Sequence, residues 1–332
     1  MVKGLYIMDP EAFERVYPLH IQRQIEKYVD ISAELMTKET IKDHMEVLKD
    51  VDVILSSWGA PRLDQTFLAH APQLKAFFYA AGSVKYFVTD AVWERGVVIS
   101  SAYAANAIPV SEFTLSQILF SLKNGWRYVM NMKRTGQYVK KDSNAIPGVY
   151  DKTVGIISLG MIGRRVCELL KPFDVNVIAY DPFISQEVAA ELNVRLCSLE
   201  EIFRESDVVS LHTPWLEETE GMIKDALFES MKPNAVFINT ARGAIVNEKE
   251  MVSVLQHRQD VLAILDVTYP EPPDIHSPLL TMENVILTPH IAGSEGDECH
   301  RLAGYMTEEL LRYLKGVPLK WQITQENMKH LA

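Results

Sequence analysis

Arg242, Glu271 and His290 each lie just beyond a short apolar run in a chain of 332 residues. The runs are AVFINT at 235–240, VLAILDV at 261–267 and NVILTP at 284–289. Short apolar runs rich in β-branched residues read as strands. In an open parallel sheet, ligands bind outside the carboxyl ends of the strands. Three strands that deliver a guanidinium, a carboxylate and an imidazole to one edge could therefore build a single site. A guanidinium clamps a carboxylate through two hydrogen bonds, and an imidazole moves protons near neutral pH. Together the three suit oxidation or reduction at a carbon beside a carboxylate. Taken singly, each has a plainer reading. Arg242 could hold a phosphate or pair with a loop acid, Glu271 in YPEPP could be a solvated loop carboxylate, and His290 could be structural.

A second group of residues points to the molecule that would carry the electrons. The segment TVGIISLGMIGRRVCELL at 153–170 reads as a strand running into Ser158, Gly160, Met161, Ile162 and Gly163, and then into a helix. Small residues let the backbone turn tightly and approach a diphosphate, and a helix start offers free N–H groups and a positive dipole end. The next strand, VNVIAY, runs out at Asp181-Pro182, with Asp181 standing 21 residues after Gly160. A carboxylate there can accept a hydrogen bond from a ribose 2′-hydroxyl and repels a 2′-phosphate, which favours NAD over NADP. Ser158 occupies the first glycine position of the G-x-G-x-x-G pattern. The plainer reading of this turn is strand-to-helix packing that binds nothing.

Such residues need a scaffold that brings strand ends to one edge, and the chain reads as two strand–helix arrays. Strand candidates in the first array are 2–8, 30–35, 51–56, 74–80 and 97–101, with a helix expected at 38–49. The second begins at Asp151 and runs through TVGIIS, VNVIAY, VRLC, DVVSLH, AVFINT, VLAILDV and NVILTP, seven strands with helices between. Alternation of this kind argues for parallel βαβ units. Between the arrays, 109–133 reads as one long helix with Pro109 in its first turn and Phe113, Leu115, Ile118, Leu119 and Leu122 on an apolar face. The polar stretch 136–148 reads as a loop and 295–315 as a helix. The fold class expected is α/β, built from two doubly wound parallel-sheet domains.

Composition narrows the function classes. Hydrophobic content of 48% and charged content of 23% fit a globular enzyme. Lys and Arg number 33 against 44 Asp and Glu, a net charge of −11, with no basic stripe. Nucleic acid and anionic membrane surfaces are therefore not expected partners. Cys167, Cys197 and Cys299 have neither paired nor metal-ligand spacing, which suits a reducing compartment. No apolar stretch approaches the roughly 18 residues of a membrane span, and no signal peptide opens the chain, so a cytoplasmic location is expected.

In these motifs the chain resembles the D-isomer-specific 2-hydroxyacid dehydrogenase family. The segments that carry the resemblance are VGIISLGMIGRR, YDP, LHTPWLEETEGMI, FINTARGAIVNE, LDVTYPEPP and ILTPHIAG, in the family's order, with weaker support from AAGSV at 80–84. The resemblance implies a flavodoxin-like substrate domain and a Rossmann NAD domain, with the active site in the cleft between them. It closes the substrate domain from both chain ends, 1–101 and 296–332. Residues 102–295 would form the NAD domain, including the long helix through which family members pair as homodimers. It assigns His290 as acid/base, Glu271 as its partner and Arg242 as the carboxylate anchor, with Gly82, Ser83 and Val84 gripping the substrate through backbone N–H groups. It also implies that Asp266 meets the nicotinamide carboxamide. His212, Thr213, Pro214, Thr219, Thr240, Ala241, Ala292 and Gly293 would join the turn residues and Asp181-Pro182 in lining the cofactor groove. The substrate implied is a small 2-hydroxy or 2-oxo acid.

Two departures and three rivals bear on specificity. Ser158 replaces a glycine, and Lys85 stands where Asn or Asp is common in the family. Formate dehydrogenases carry Gln in place of Glu271, which argues against formate. A phosphoglycerate substrate would want more basic groups than Lys85 and Arg62. A dinucleotide-sensing corepressor of the C-terminal-binding-protein type shares the fold and the trio, and would bind peptides without turnover. Trp58 and Tyr103 follow strand ends and could line a substrate pocket, whereas aromatics such as Tyr79 and Trp126 are more often core residues in such arrays.

Overall fold

A computed structural model describes residues 1–142 and 146–330. The chain divides into two compact units, Met1–Asn106 with Ser294–Ala332, and Ala107–Gly293. The crossings fall at 106/107 and 293/294 rather than at 101/102 and 295/296. The first crossing moves because the helix Tyr103–Ser121 contributes to two cores: Ala105 packs in the core of unit 1, while Ile118 packs in that of unit 2.

In unit 1 the strands are β1 (Val2–Ile7), β2 (Val29–Ile31), β3 (Val53–Ser56), β4 (Ala76–Tyr79) and β5 (Val98–Ser101). The last strand of the chain, β13 (Gln322–Ile323), joins them, and the sheet order is β13-β5-β4-β3-β1-β2. All pairs are parallel except β13 on β5. The five parallel strands have the 2-1-3-4-5 order of flavodoxin-like sheets. Both faces are buried, so successive residues feed different cores. Leu5, Ile7, Phe77 and Tyr79 pack on one side, and Tyr6, Met8, Ala76 and Phe78 on the other. The second side is covered by the helix Cys299–Leu314 through Leu302, Met306 and Leu310.

Unit 2 holds β6 (Lys152–Ile157), β7 (Val175–Tyr180), β8 (Arg195–Leu196), β9 (Val208–Leu211), β10 (Val236–Asn239), β11 (Leu262–Leu265) and β12 (Val285–Leu287). They form one parallel sheet in the order β12-β11-β10-β9-β6-β7-β8. This is the Rossmann order with one added strand, and the order reverses between β6 and β9. All seven strands expected from the sequence are present.

Three helical expectations are corrected. The span 109–133 is two helices, Tyr103–Ser121 and Gly125–Thr135. Asn124 between them is left-handed at φ 54, and a Cβ on Gly125 would lie 2.4 Å from the Phe120 ring. Apolar periodicity carries across this break, which hides it in the sequence. Pro109 lies inside the first helix rather than in its first turn. The span 38–49 is a single turn, Thr40–Asp43, followed by a 3-10 helix, Met45–Asp50. Ile41 and Leu48 are buried as an amphipathic helix would bury them, but His44 at φ −132 interrupts the backbone. The loop expected at 136–148 includes residues 143–145, which lie outside the described residues.

Candidate active site

The edge of unit 2 is assembled from turns that follow its strands. His290 follows β12 in a left-handed conformation, φ 55, and its N–H donates to the Asp266 carbonyl at 3.0 Å. The Asp266 side chain, 2% exposed, holds the rest of this turn. Its Oδ1 accepts from Thr288 Oγ1 at 2.6 Å and Ile291 N at 2.9 Å, and its Oδ2 from Ala292 N at 2.9 Å. This clamp presents the imidazole to Glu271, whose Oε1 lies 2.5 Å from His290 Nδ1. A carboxylate only accepts, so the proton of that bond belongs to Nδ1, and Nε2 is left as the atom that can exchange a proton with a ligand. The pair is partly exposed, with side-chain accessibilities of 45% and 40%, as a working acid/base group needs.

Arg242 follows β10 in extended backbone and is half-buried. Its turn is shaped by Asn239, whose side chain accepts from Ala241 N at 2.9 Å and donates to the Arg242 carbonyl at 3.1 Å. Gly243 is obligatory there, because a Cβ would fall 2.1 Å from the Thr268 backbone. The guanidinium donates to the Ala241 carbonyl at 2.6 Å. Burial pulls its pKa below the usual range and the nearby Glu271 charge opposes that pull. Among the described residues no carboxylate lies within ion-pair distance of it. A half-buried cation with spare donors is a receptor for an anion.

The turn after β6 fits a dinucleotide. No side chain caps the helix Met161–Leu170, and among the described residues the N–H groups of Gly160, Met161, Ile162 and Gly163 donate to no protein acceptor. A Cβ on Gly160 would meet nothing within 4 Å, whereas one on Gly163 would meet the Ser158 carbonyl at 2.1 Å. The first glycine thus leaves room for a ligand, and the second permits close helix–strand approach. Asp181 accepts from Leu159 N at 2.8 Å and Phe183 N at 2.9 Å. Pro182 and Phe183 beyond it are exposed. Ser158 takes the left-handed backbone of the glycine it replaces, φ 74, a conformation costing about 1–2 kcal/mol for a residue with a Cβ.

The remaining cofactor candidates lie on neighbouring strand ends. His212 is buried, with Nε2 2.9 Å from Ser210 Oγ, and burial drives its pKa down to about 3, so the ring is neutral. Thr213 is buried and Pro214 half-buried. Thr219 is occupied within its loop, donating to the Pro214 carbonyl at 2.6 Å and accepting from Leu216 N at 2.9 Å. Thr240 pairs with Thr114, 3.2 Å between hydroxyls, and Ala241, Ala292 and Gly293 add small surfaces.

In unit 1, among the described residues, the N–H groups of Gly82, Ser83 and Val84 donate to no protein acceptor, a ready nest for a carboxylate oxygen. Ser101 Oγ secures this loop through the carbonyls of Ala81, at 2.9 Å, and Gly82, at 2.5 Å. The Tyr79 and Tyr86 hydroxyls, 2.6 Å apart, tie the loop back to β4, and burial raises the Tyr79 pKa. The Arg15 guanidinium lies over Trp58, its Cζ 4.7 Å from the ring centroid, and Tyr103 packs on Trp321 at 5.9 Å. Sequence reasoning missed Asn239, Thr288 and the tyrosine pair. A polar residue closing an apolar run, as Asn239 closes AVFIN, was the available signal for the first.

A doubly wound unit whose dinucleotide-type turn stands beside an imidazole–carboxylate pair and an arginine defines a nucleotide-dependent class of α/β protein. Residues 115–292 match the family model of the D-isomer specific 2-hydroxyacid dehydrogenase NAD binding domain, and the chain belongs to that family. It is 33% identical to a D-3-phosphoglycerate dehydrogenase of Methanocaldococcus jannaschii over 85% of this chain and 53% of the relative. It is 31% identical to a glyoxylate reductase of Korarchaeum cryptofilum over 86% of both chains. A D-isomer specific 2-hydroxyacid dehydrogenase of Lactobacillus delbrueckii ssp. bulgaricus, solved with NAD, superposes with a TM-score of 0.80 at 21% identity, covering 98% of this chain and all of that one. The chain spans about half the length of the phosphoglycerate dehydrogenases it matches, 53%, 54% and 51% of the first three. No helix among the described residues is long and apolar enough to cross a membrane.

Proposed function

We propose that the protein is an NAD-dependent dehydrogenase interconverting a small D-2-hydroxyacid and its 2-oxoacid. The observation that carries this reading is the 2.5 Å His290–Glu271 contact on the same sheet edge as a half-buried arginine that forms no ion pair among the described residues. In the reducing direction His290 holds a proton at Nε2 and delivers it to the C2 oxygen. Glu271, bonded at Nδ1, fixes the tautomer and orients the ring so that Nε2 faces the ligand. Arg242 holds the substrate carboxylate and fixes C2 relative to the imidazole. The bound nicotinamide supplies or accepts the hydride. The residues that would hold it are the Gly160–Gly163 turn, Asp181, Thr213, Pro214 and Thr240, with Asp181 favouring NADH. We further propose a homodimer, supported by the helix Gly125–Thr135, none of whose residues is fully buried although it carries Val129, Met130 and Met132, with Met130 exposed.

A second reading, phosphoglycerate as substrate, is favoured by the three relatives named for that activity. Against it, Lys85 and Arg62 are the basic residues by the unit 1 loops, both exposed, and Arg15 is engaged with Trp58 and Glu295. Initial rates of NADH oxidation with glyoxylate, hydroxypyruvate and 3-phosphohydroxypyruvate separate the readings. The proposal expects the small neutral-tailed acids to be reduced better. Preference for the phosphorylated acid transfers the substrate to the second reading, and NADH binding without any turnover removes the enzymatic one.

A further inference from the structure

Ser158 and Thr213 meet at an informative place. The order of the unit 2 sheet reverses between β6 and β9, and dinucleotides bind in the crevice that such a reversal opens. Ser158 is the first residue after β6, and Thr213 the second after β9. Their hydroxyl oxygens are 2.8 Å apart, so the pair bridges the two chain segments at the reversal. The Ser158 N–H is already spent on the Tyr180 carbonyl at 2.8 Å. Two hydroxyls carry two protons and their mutual bond uses one. Neither oxygen has another protein partner among the described residues, so one donor proton is uncommitted. Two residues further on begin the four unpaired N–H groups of Gly160–Gly163. Glycine would adopt the Ser158 backbone without strain, yet this chain holds a side chain there.

We propose that the Ser158–Thr213 hydroxyl pair is a contact for the cofactor's diphosphate: Thr213 donates to Ser158 Oγ, and Ser158 donates its own proton to a phosphate oxygen alongside the turn N–H groups. The inference rests on the reading of this turn as the dinucleotide site and adds to it a side-chain determinant of cofactor affinity. A hydroxyl bonded to an anion contributes more than a neutral pair, and its loss corresponds to about tenfold in affinity. The contact is to phosphate, so the effect belongs to ligands that carry a diphosphate.

The test compares the parent protein with Ser158→Ala and Ser158→Gly. Ala removes the hydroxyl and keeps the strained Cβ; Gly removes both, so folding of that variant is not at risk from backbone strain. Kd values are measured for NADH by fluorescence, and for ADP-ribose and adenosine by calorimetric competition, with Tm recorded for each protein. The expected result is a loss of about tenfold for NADH and ADP-ribose in both variants, adenosine affinity within about twofold of the parent, and a Tm for Ser158→Gly no lower than the parent's. Unchanged NADH and ADP-ribose affinities overturn the proposal, as does equal weakening of adenosine, which would make the pair a strut of the fold. A parent protein that binds neither NADH nor ADP-ribose defeats the dinucleotide reading itself, an outcome distinct from variants that bind as the parent does.

Discussion

At the C-terminal edge of its sheet, unit 2 carries titratable side chains: Arg242 after β10, Asp266 and Glu271 after β11, and His290 after β12. The same edge of unit 1 carries Trp58 after β3, Tyr79 at the end of β4, the Tyr86 hydroxyl, and the free N–H groups of Gly82, Ser83 and Val84. Both sheets are doubly wound and both bury two faces, so the scaffold does not explain the difference. One edge carries a hydrogen-bonded imidazole–carboxylate pair and a half-buried guanidinium; the other carries aromatic surface and backbone donors, with charges at Asp9, Arg15, Arg62 and Lys85 but no imidazole–carboxylate pair among the described residues. The two edges thus carry different side-chain chemistry, and substitutions at them should behave differently.

The largest effect is expected at His290. Replacing it with Gln removes the transferable proton, and kcat/KM for 2-oxoacid reduction should fall by about 10²–10⁴ while the NADH Kd stays within about twofold. A modest loss would move the acid/base role elsewhere. Next comes Arg242→Ala, which deletes the guanidinium proposed to hold the substrate carboxylate. A fall of about 10²–10³ in kcat/KM, with NADH still bound, is the expected outcome of steady-state kinetics. Glu271→Gln keeps the shape but loses the carboxylate that holds His290 Nδ1, and should cost about tenfold in kcat/KM for 2-oxoacid reduction in the same steady-state kinetics. An unchanged kcat/KM would show that the 2.5 Å contact does not position the imidazole for catalysis. Smallest of all should be Ser83→Ala, because the proposed contact there is made by the backbone. A change in KM beyond about twofold would give the unit 1 edge a side-chain role that the comparison denies it.

Much of this was legible in the sequence. Apolar runs gave away the strands because both sheets are buried on both faces, and the residue just past each run marked the edge where Arg242, Glu271 and His290 lie. What stayed hidden was direction and backbone state. Asp266 reads as a cofactor contact by resemblance, yet three of its acceptor positions are committed to the His290 turn, a bond pattern that no spacing reveals. The break at Asn124 is hidden because the apolar stripe runs through it. Ser158 looked like a defect in a glycine pattern, whereas the structure shows it adopting the glycine backbone and gaining a hydroxyl partner.

The central claim is that the unit 2 edge delivers a hydride and a proton to C2 of a 2-oxoacid held by its carboxylate. The most direct measurement is a single turnover with NADH carrying deuterium at both nicotinamide C4 positions and glyoxylate or hydroxypyruvate, followed by isotopic and chiral analysis of the product. The account predicts deuterium at C2 of the hydroxyacid and, with hydroxypyruvate, the D enantiomer. Deuterium absent from C2, or an L product from hydroxypyruvate, would contradict it.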